Sequence, residues 1–126
     1  MITMENVKLV NGNDALVIIE GRYLTDFVVA RGYQVIKETG EVIWGHGVYF
    51  SADADNRNDR LYCMMKATEY MYSTENSEYI THDRMAEIAT RFKDNLDDEG
   101  LEYAMEDLDM TETEKEFFGL NEKEEN

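Results

Sequence analysis

Val7-Lys8-Leu9-Val10-Asn11-Gly12-Asn13-Asp14-Ala15-Leu16-Val17-Ile18-Ile19 is the stretch that decides the fold of this chain. Two apolar runs of strand length flank a cluster of turn formers, and Gly21 bounds the second run. Such a pair reads as an antiparallel hairpin. Working outward, Tyr33–Glu38 and Glu41–Trp44 flank Thr39-Gly40 and read as a second hairpin, with Gly40 supplying the positive φ that a tight turn requires. Between the hairpins, Thr25 to Arg31 is open to strand or short helix, and Phe27-Val28-Val29 favours the strand. Gly45 and Gly47 interrupt the following strand and suggest a bulge before Val48-Tyr49-Phe50. These runs are joined by turns and not by helices, which argues against a parallel βαβ arrangement.

The second half changes period. Ser51 to Asp59 is polar and offers Asp53, Asp55, Asn56 and Asn58 as helix N-caps. Leu61, Met64, Met65, Thr68, Met71 and Tyr72 then recur at helical spacing. Ser73 to Ser77 reads as a loop. Thr81 is expected to cap a helix in which Met85, Ile88, Ala89, Phe92 and Leu96 share one face, with Gly100 as its C-terminal stop. Leu101 to Leu108 reads as a short helix. Thr111 and Glu114 form a capping box for a last helix that reaches Phe118 before Gly119. The sum is α+β: an antiparallel sheet of about three to five strands from the N-terminal half, packed by three to four helices from the C-terminal half. Residues 1–120 are expected to form a single domain, and 121–126 a disordered acidic tail.

The chain has 126 residues, of which 43% are hydrophobic and 11% aromatic, so it can bury a core. Its net charge is −16. That charge argues against direct binding of nucleic acid or anionic lipid, because few cations are present to release counterions. No apolar run approaches membrane-spanning length, and the N-terminus lacks a secretory pattern. A cytoplasmic protein of a bacterial host is the expectation.

Signals for catalysis or metal binding are poor. His46 and His82 are isolated, and the single Cys63 lies among Tyr62, Met64 and Met65, where a small buried side chain is expected. The oxygen-rich run from Asp53 to Asp59 fails the calcium-loop pattern, since Asn58 stands where glycine is needed and Met64 where the bidentate glutamate is needed. Helix capping explains that run better. Gly45-His46-Gly47 lacks the rest of a phosphate loop. No pair of carboxylates stands in unequal surroundings that would mark an acid and a base. The expectation is a non-enzyme with no cofactor and no metal.

Two surface constellations remain. Tyr62, Tyr70, Tyr72 and Tyr79 surround the middle helix, with Trp44 and Tyr49 near in sequence. Tyrosine is common both at half-buried core edges and at interfaces, and Tyr70 and Tyr72 are the interface candidates. The other constellation is acidic. Residues 94–126 hold 14 acidic residues against Lys115 and Lys123, and so carry −12 of the net charge. Asp94, Asp97, Asp98, Glu99, Glu102, Glu106, Asp107, Asp109 and Glu112 are interleaved with Leu101, Met105 and Leu108. The apolar residues can then face inward while the carboxylates face out. A solvated face is the plain reading. Like charges at helical spacing destabilise a helix by about 0.2–0.5 kcal/mol each, which is easier to understand if a basic partner offsets them.

The ending Met110-Thr111-Glu112-Thr113-Glu114-Lys115-Glu116-Phe117-Phe118-Gly119-Leu120, on a small acidic α+β chain, resembles proteins of phages and mobile elements. Among these are the anti-CRISPR inhibitors of type II RNA-guided nucleases. The resemblance covers roughly the last third of the chain and carries over no catalytic residue. It implies a partner that binds nucleic acid through a basic site, namely a CRISPR nuclease. Such nucleases hold nucleic acid in a positively charged channel, which an acidic, DNA-mimicking surface could occupy. The competing expectation is a non-catalytic interaction module or small homodimer with no nuclease partner, built on the tyrosine and methionine residues.

Overall fold

A computed structural model describes residues 1–71 and 82–120. It contains six strands: β1 (Val7–Asn11), β2 (Asp14–Glu20), β3 (Leu24–Arg31), β4 (Gln34–Val35), β5 (Val42–Ile43) and β6 (His46–Asp53). Four α-helices follow: α1 (Arg57–Met71), α2 (His82–Lys93), α3 (Asp98–Leu108) and α4 (Glu112–Phe117). The α+β reading holds.

The main sheet is antiparallel throughout, in the order β1-β2-β3-β6. The Asn11–Asp14 pair closes the first hairpin as expected. Thr25–Arg31 is strand, because it fills the central place between β2 and β6. The second hairpin forms as the small β4–β5 ladder, with Gly40 at φ 78° in its turn. It stands apart from the main sheet.

The expected bulge at Gly45 and Gly47 is absent. Strand β6 runs in unbroken register with β3 from His46 to Asp53, and the register shift lies instead in β1, between Val7 and Leu9. Gly47 answers a packing need. A Cβ there would sit 2.9 Å from Trp44 Nε1 and 3.1 Å from Val28 Cγ1. The indole therefore lies against bare backbone.

Alternation along the strands sends side chains to both faces of the sheet. Leu9, Leu16, Phe27, Val29 and Ala52 join the helices in one large core. Ala15, Val17, Val28 and Ala30 point the other way, where Ile2, Val7, Ile19, Tyr33 and Trp44 pack with them.

Helix α1 is buried at Leu61, Cys63, Met64, Met65, Ala67, Thr68 and Met71, more of its circumference than the single stripe predicted. It lies between the sheet and α2, so it has two apolar sides to satisfy. The predicted loop at Ser73–Ser77, the Thr81 cap, Tyr72, Tyr79 and the 121–126 tail lie outside the described residues.

The helix predicted to run to Gly100 ends at Lys93. Asp97 caps a new helix, accepting a hydrogen bond from Gly100 N at 2.7 Å. Gly100 thus sits in the first turn of α3 and is not a stop signal. An N-cap aspartate beside acidic first-turn residues Asp98 and Glu99 is a strong start, and it overrides the apolar period that continues to Leu96. The Thr111–Glu114 capping box forms as expected.

Candidate functional site

Helix α3 positions the acidic residues. Leu101, Ala104 and Leu108 recur at i, i+3 and i+7 and are buried. That anchoring turns Glu99, Glu102, Tyr103, Glu106 and Asp107 outward. Glu99, Glu102, Tyr103 and Glu106 line one shallow surface groove. Tyr103 is 71% exposed, among the described residues the most exposed large apolar side chain after Met1 and Tyr23.

The predicted acidic set does not act as one array, because the tertiary structure neutralises part of it. Asp98 pairs with Arg57 at 3.3 Å, across from the start of α1. Asp107 pairs with Arg91 of α2. Glu112 lies 3.8 Å from Lys115 within α4. Asp97 uses one oxygen as the α3 cap. Asp109 ends α3 in the left-handed region at φ 52°. Asp94 is exposed just beyond α2, where its charge helps hold the Lys93 ammonium pKa up, after the larger contribution of Glu69. Glu99, Glu102 and Glu106 have no cation within ion-pair distance among the described residues.

Two other carboxylates, Glu87 and Glu114, are committed to Arg84. Glu87 pairs with Arg84 at 3.3 Å on α2. Glu114 is buried at 6% exposure and receives both Arg84 Nε at 2.8 Å and Arg84 Nη2 at 3.0 Å. Thr111 N adds a third donor at 2.9 Å. The Arg84 guanidinium holds the Glu114 carboxyl below the usual carboxylate range, against the opposing effect of burial. No partner can use this carboxylate without breaking the fold. A partly buried arginine partner on another helix leaves no local mark in the sequence, which is why Glu114 is legible there only as a cap.

Tyr70 is placed in a different neighbourhood. Its ring packs on Phe50 at 6.1 Å between centroids and lies 5.0 Å from the Arg31 guanidinium, which also pairs with Asp14 at 2.7 Å. These contacts join α1 to the sheet, and none involves α3. Tyr70, one of the two interface candidates, thus packs between α1 and the sheet.

A second cleft, of about 340 Å³, opens where β1, α1 and α4 meet, and brings Lys8, Arg57 and Arg60 beside Phe27, Leu61 and Phe117. Its charges are largely committed. Arg57 pairs with Asp98, Arg60 pairs with Glu20 at 3.2 Å, and Lys8 lies 5.2 Å over the Phe117 ring. Burial pushes the Lys8 ammonium pKa down, and Glu116 pulls it partly back.

Among the described residues no group of three or more His, Cys, Asp or Glu side chains could hold a metal ion. The run from Asp53 to Asp59 works as capping, with Asn56 Oδ1 accepting from Asp59 N and Asp59 Oδ2 accepting from Asp53 N. The Cys63 thiol is buried and burial pushes its pKa up, away from the reactive thiolate. No described helix is long and apolar enough to cross a membrane. Comparison of the chain with protein families, curated proteins and solved structures finds no match.

Proposed function

We propose that this chain is a binding protein that sets the outer face of α3 on a basic, nucleic-acid-binding site of a partner protein and competes with nucleic acid there. One observation carries the reading: Glu99, Glu102 and Glu106 stand on one exposed helix face around Tyr103, without counter-cations among the described residues. Asp98 and Asp107 on the same helix are paired within the molecule. What remains is a small surface with unspent charge and an aromatic anchor, the kind that arginine-rich sites accept.

Its size limits the mimicry. Helical rise places these carboxylates about 5 Å apart along the axis. Duplex DNA carries a charge about every 1.7 Å. The face therefore stands in for two or three phosphates and not for a stretch of duplex. Inhibition of a type II RNA-guided nuclease, the function the resemblance implies, is the narrower form of this proposal. Arginines that read the short adjacent motif offer a target of matching size.

The test is competition. Guide-loaded type II nuclease is mixed with labelled target DNA, and displacement of the DNA is followed by fluorescence anisotropy at low and moderate salt. Displacement that weakens with salt, and is lost in Glu99→Lys/Glu102→Lys/Glu106→Lys, supports the narrow form. Absence of displacement at low salt sinks it. A host-lysate pull-down with the same variant then decides the broader form, which fails if no basic nucleic-acid-binding protein is lost on charge reversal.

A further inference from the structure

The two edges of the main sheet are not alike. Edge β1 is guarded: it is five residues long, carries Lys8 and has its register broken between Val7 and Leu9. Short length, lysine and a bulge are the usual means by which an edge avoids pairing with another chain. Edge β6 has none of these. It is eight residues long, in unbroken register and without lysine or proline. From Val42 to Ala52 the chain contains no Asp, Glu, Lys or Arg, although 32% of its residues are charged.

The ladder fixes which groups face outward. Ala54 N donates to Tyr23 O at 3.0 Å, so the pairs Thr25–Ala52, Phe27–Phe50 and Val29–Val48 exchange hydrogen bonds across β3 and β6. The alternate residues Gly47, Tyr49, Ser51 and Asp53 turn their backbone groups to the open edge. Asp59 takes the Asp53 N–H at 2.8 Å, and the Cys63 thiol donates to the Ser51 carbonyl at 3.5 Å, leaving that oxygen its second lone pair. Both backbone groups of Gly47 and of Tyr49, and the Ser51 N–H, have no partner among the described residues. Tyr49 is 54% exposed beside them.

We infer that β6 is a homodimer interface, in which a second copy adds its own β6 antiparallel to the first with Tyr49 on the two-fold axis. In this register Tyr49 exchanges both backbone bonds with Tyr49 of the second copy, and Gly47 does so with Ser51 on either side. Every open group finds a partner. Shifting the axis to Ser51 would oppose Tyr49 to Asp53, whose N–H is already taken. The neutral strand is also where two chains of net charge −16 can approach without setting carboxylate against carboxylate. Tyr70, whose ring packs on Phe50 of β6, supplies partly exposed aromatic surface next to the joint. This inference is independent of the α3 face.

Sedimentation velocity over a range of micromolar concentrations tests it. The wild-type mass should rise from 14.7 kDa to twice that value. Tyr49→Lys, which opposes two ammonium groups across the axis, should stay monomeric with an unchanged circular dichroism spectrum. In a Cys63→Ser background, Tyr49→Cys should cross-link on oxidation, because directly opposed strand residues lie within the Cα span a disulfide needs, about 4.4–6.8 Å. Tyr23→Cys, exposed on the β2–β3 turn, should not. A wild-type chain that stays monomeric throughout overturns the interface. So does a dimer that survives Tyr49→Lys, and so does Tyr49→Cys cross-linking no faster than Tyr23→Cys. Should Tyr49→Lys misfold, the cysteine pair decides.

Discussion

Arg84 ties three helices together. From α2 it reaches Glu114 of α4 through two nitrogens and donates to the Leu108 carbonyl at the end of α3, at 2.6 Å. That carbonyl is one a helix C-terminus leaves unsatisfied, so one side chain closes α3 and fixes α4. Removing either partner strands the other. Glu114→Gln should lower the unfolding free energy by about 1.5–3 kcal/mol, the range for hydrogen bonds to charged groups. The pH dependence follows from the depressed Glu114 pKa. The stabilisation is fully present above the ordinary value of 4.5 and is lost as pH falls through the lower folded value. Urea titrations of both proteins should therefore show a gap that is widest above that pH and closes in acid. Gly47 is the other residue with a narrow tolerance. Gly47→Ala drives a methyl into Trp44 and Val28 and should destabilise by about 1–3 kcal/mol. Trp44 is the only tryptophan, so its fluorescence reports the displacement directly.

At the scale of the element, α3 carries charge in an order that does not favour it. Acidic residues suit its first turn, where Asp98 and Glu99 lie, but its last turn has no basic residue and ends in Glu106, Asp107 and the left-handed Asp109. Carboxylates at a helix C-terminus oppose the macrodipole. Glu106→Lys should thus stabilise the protein by about 0.3–1 kcal/mol in thermal or urea unfolding. It should also weaken partner binding. A stabilising change that removes activity is what a functional surface predicts; a merely solvated face predicts the first effect without the second. The start of this helix also shows what a sequence conceals. Leu96 continues the apolar period of α2 at i+11, so the period alone extends that helix too far. Asp97 ends the ambiguity only when its side chain is seen bonded to Gly100 N, with a would-be Gly100 Cβ 3.1 Å from Asn95 Cβ.

At the scale of the whole molecule, the net charge of −16 acts on folding and binding with opposite sign. Screening shortens the reach of self-repulsion, to about 10 Å at 0.1 M salt. The thermal unfolding midpoint should rise on going from low salt to that concentration, while affinity for a basic partner falls over the same range. Calorimetry and the competition assay, run in matched buffers, check both signs. A midpoint that falls with salt would mean that the internal pairs, such as Arg31–Asp14 and Arg60–Glu20, outweigh the repulsion.

The sequence by itself determined what depends on neighbours along the chain. Two apolar runs and the turn formers between them, at Asn11–Asp14, specify the first hairpin, and helical spacing with the Thr111–Glu114 box specifies the later helices. These signals are local because strands, turns and caps are closed by residues a few positions apart. Only the tertiary structure decided which carboxylates stay unpaired. Arg57, Arg84 and Arg91 reach Asp98, Glu114 and Asp107 across separations of 41, 30 and 16 residues. It likewise decided that β6, and not β1, leaves a long neutral edge open. Charge pairing and strand order depend on which elements meet in space, and a count of acidic residues holds no record of that.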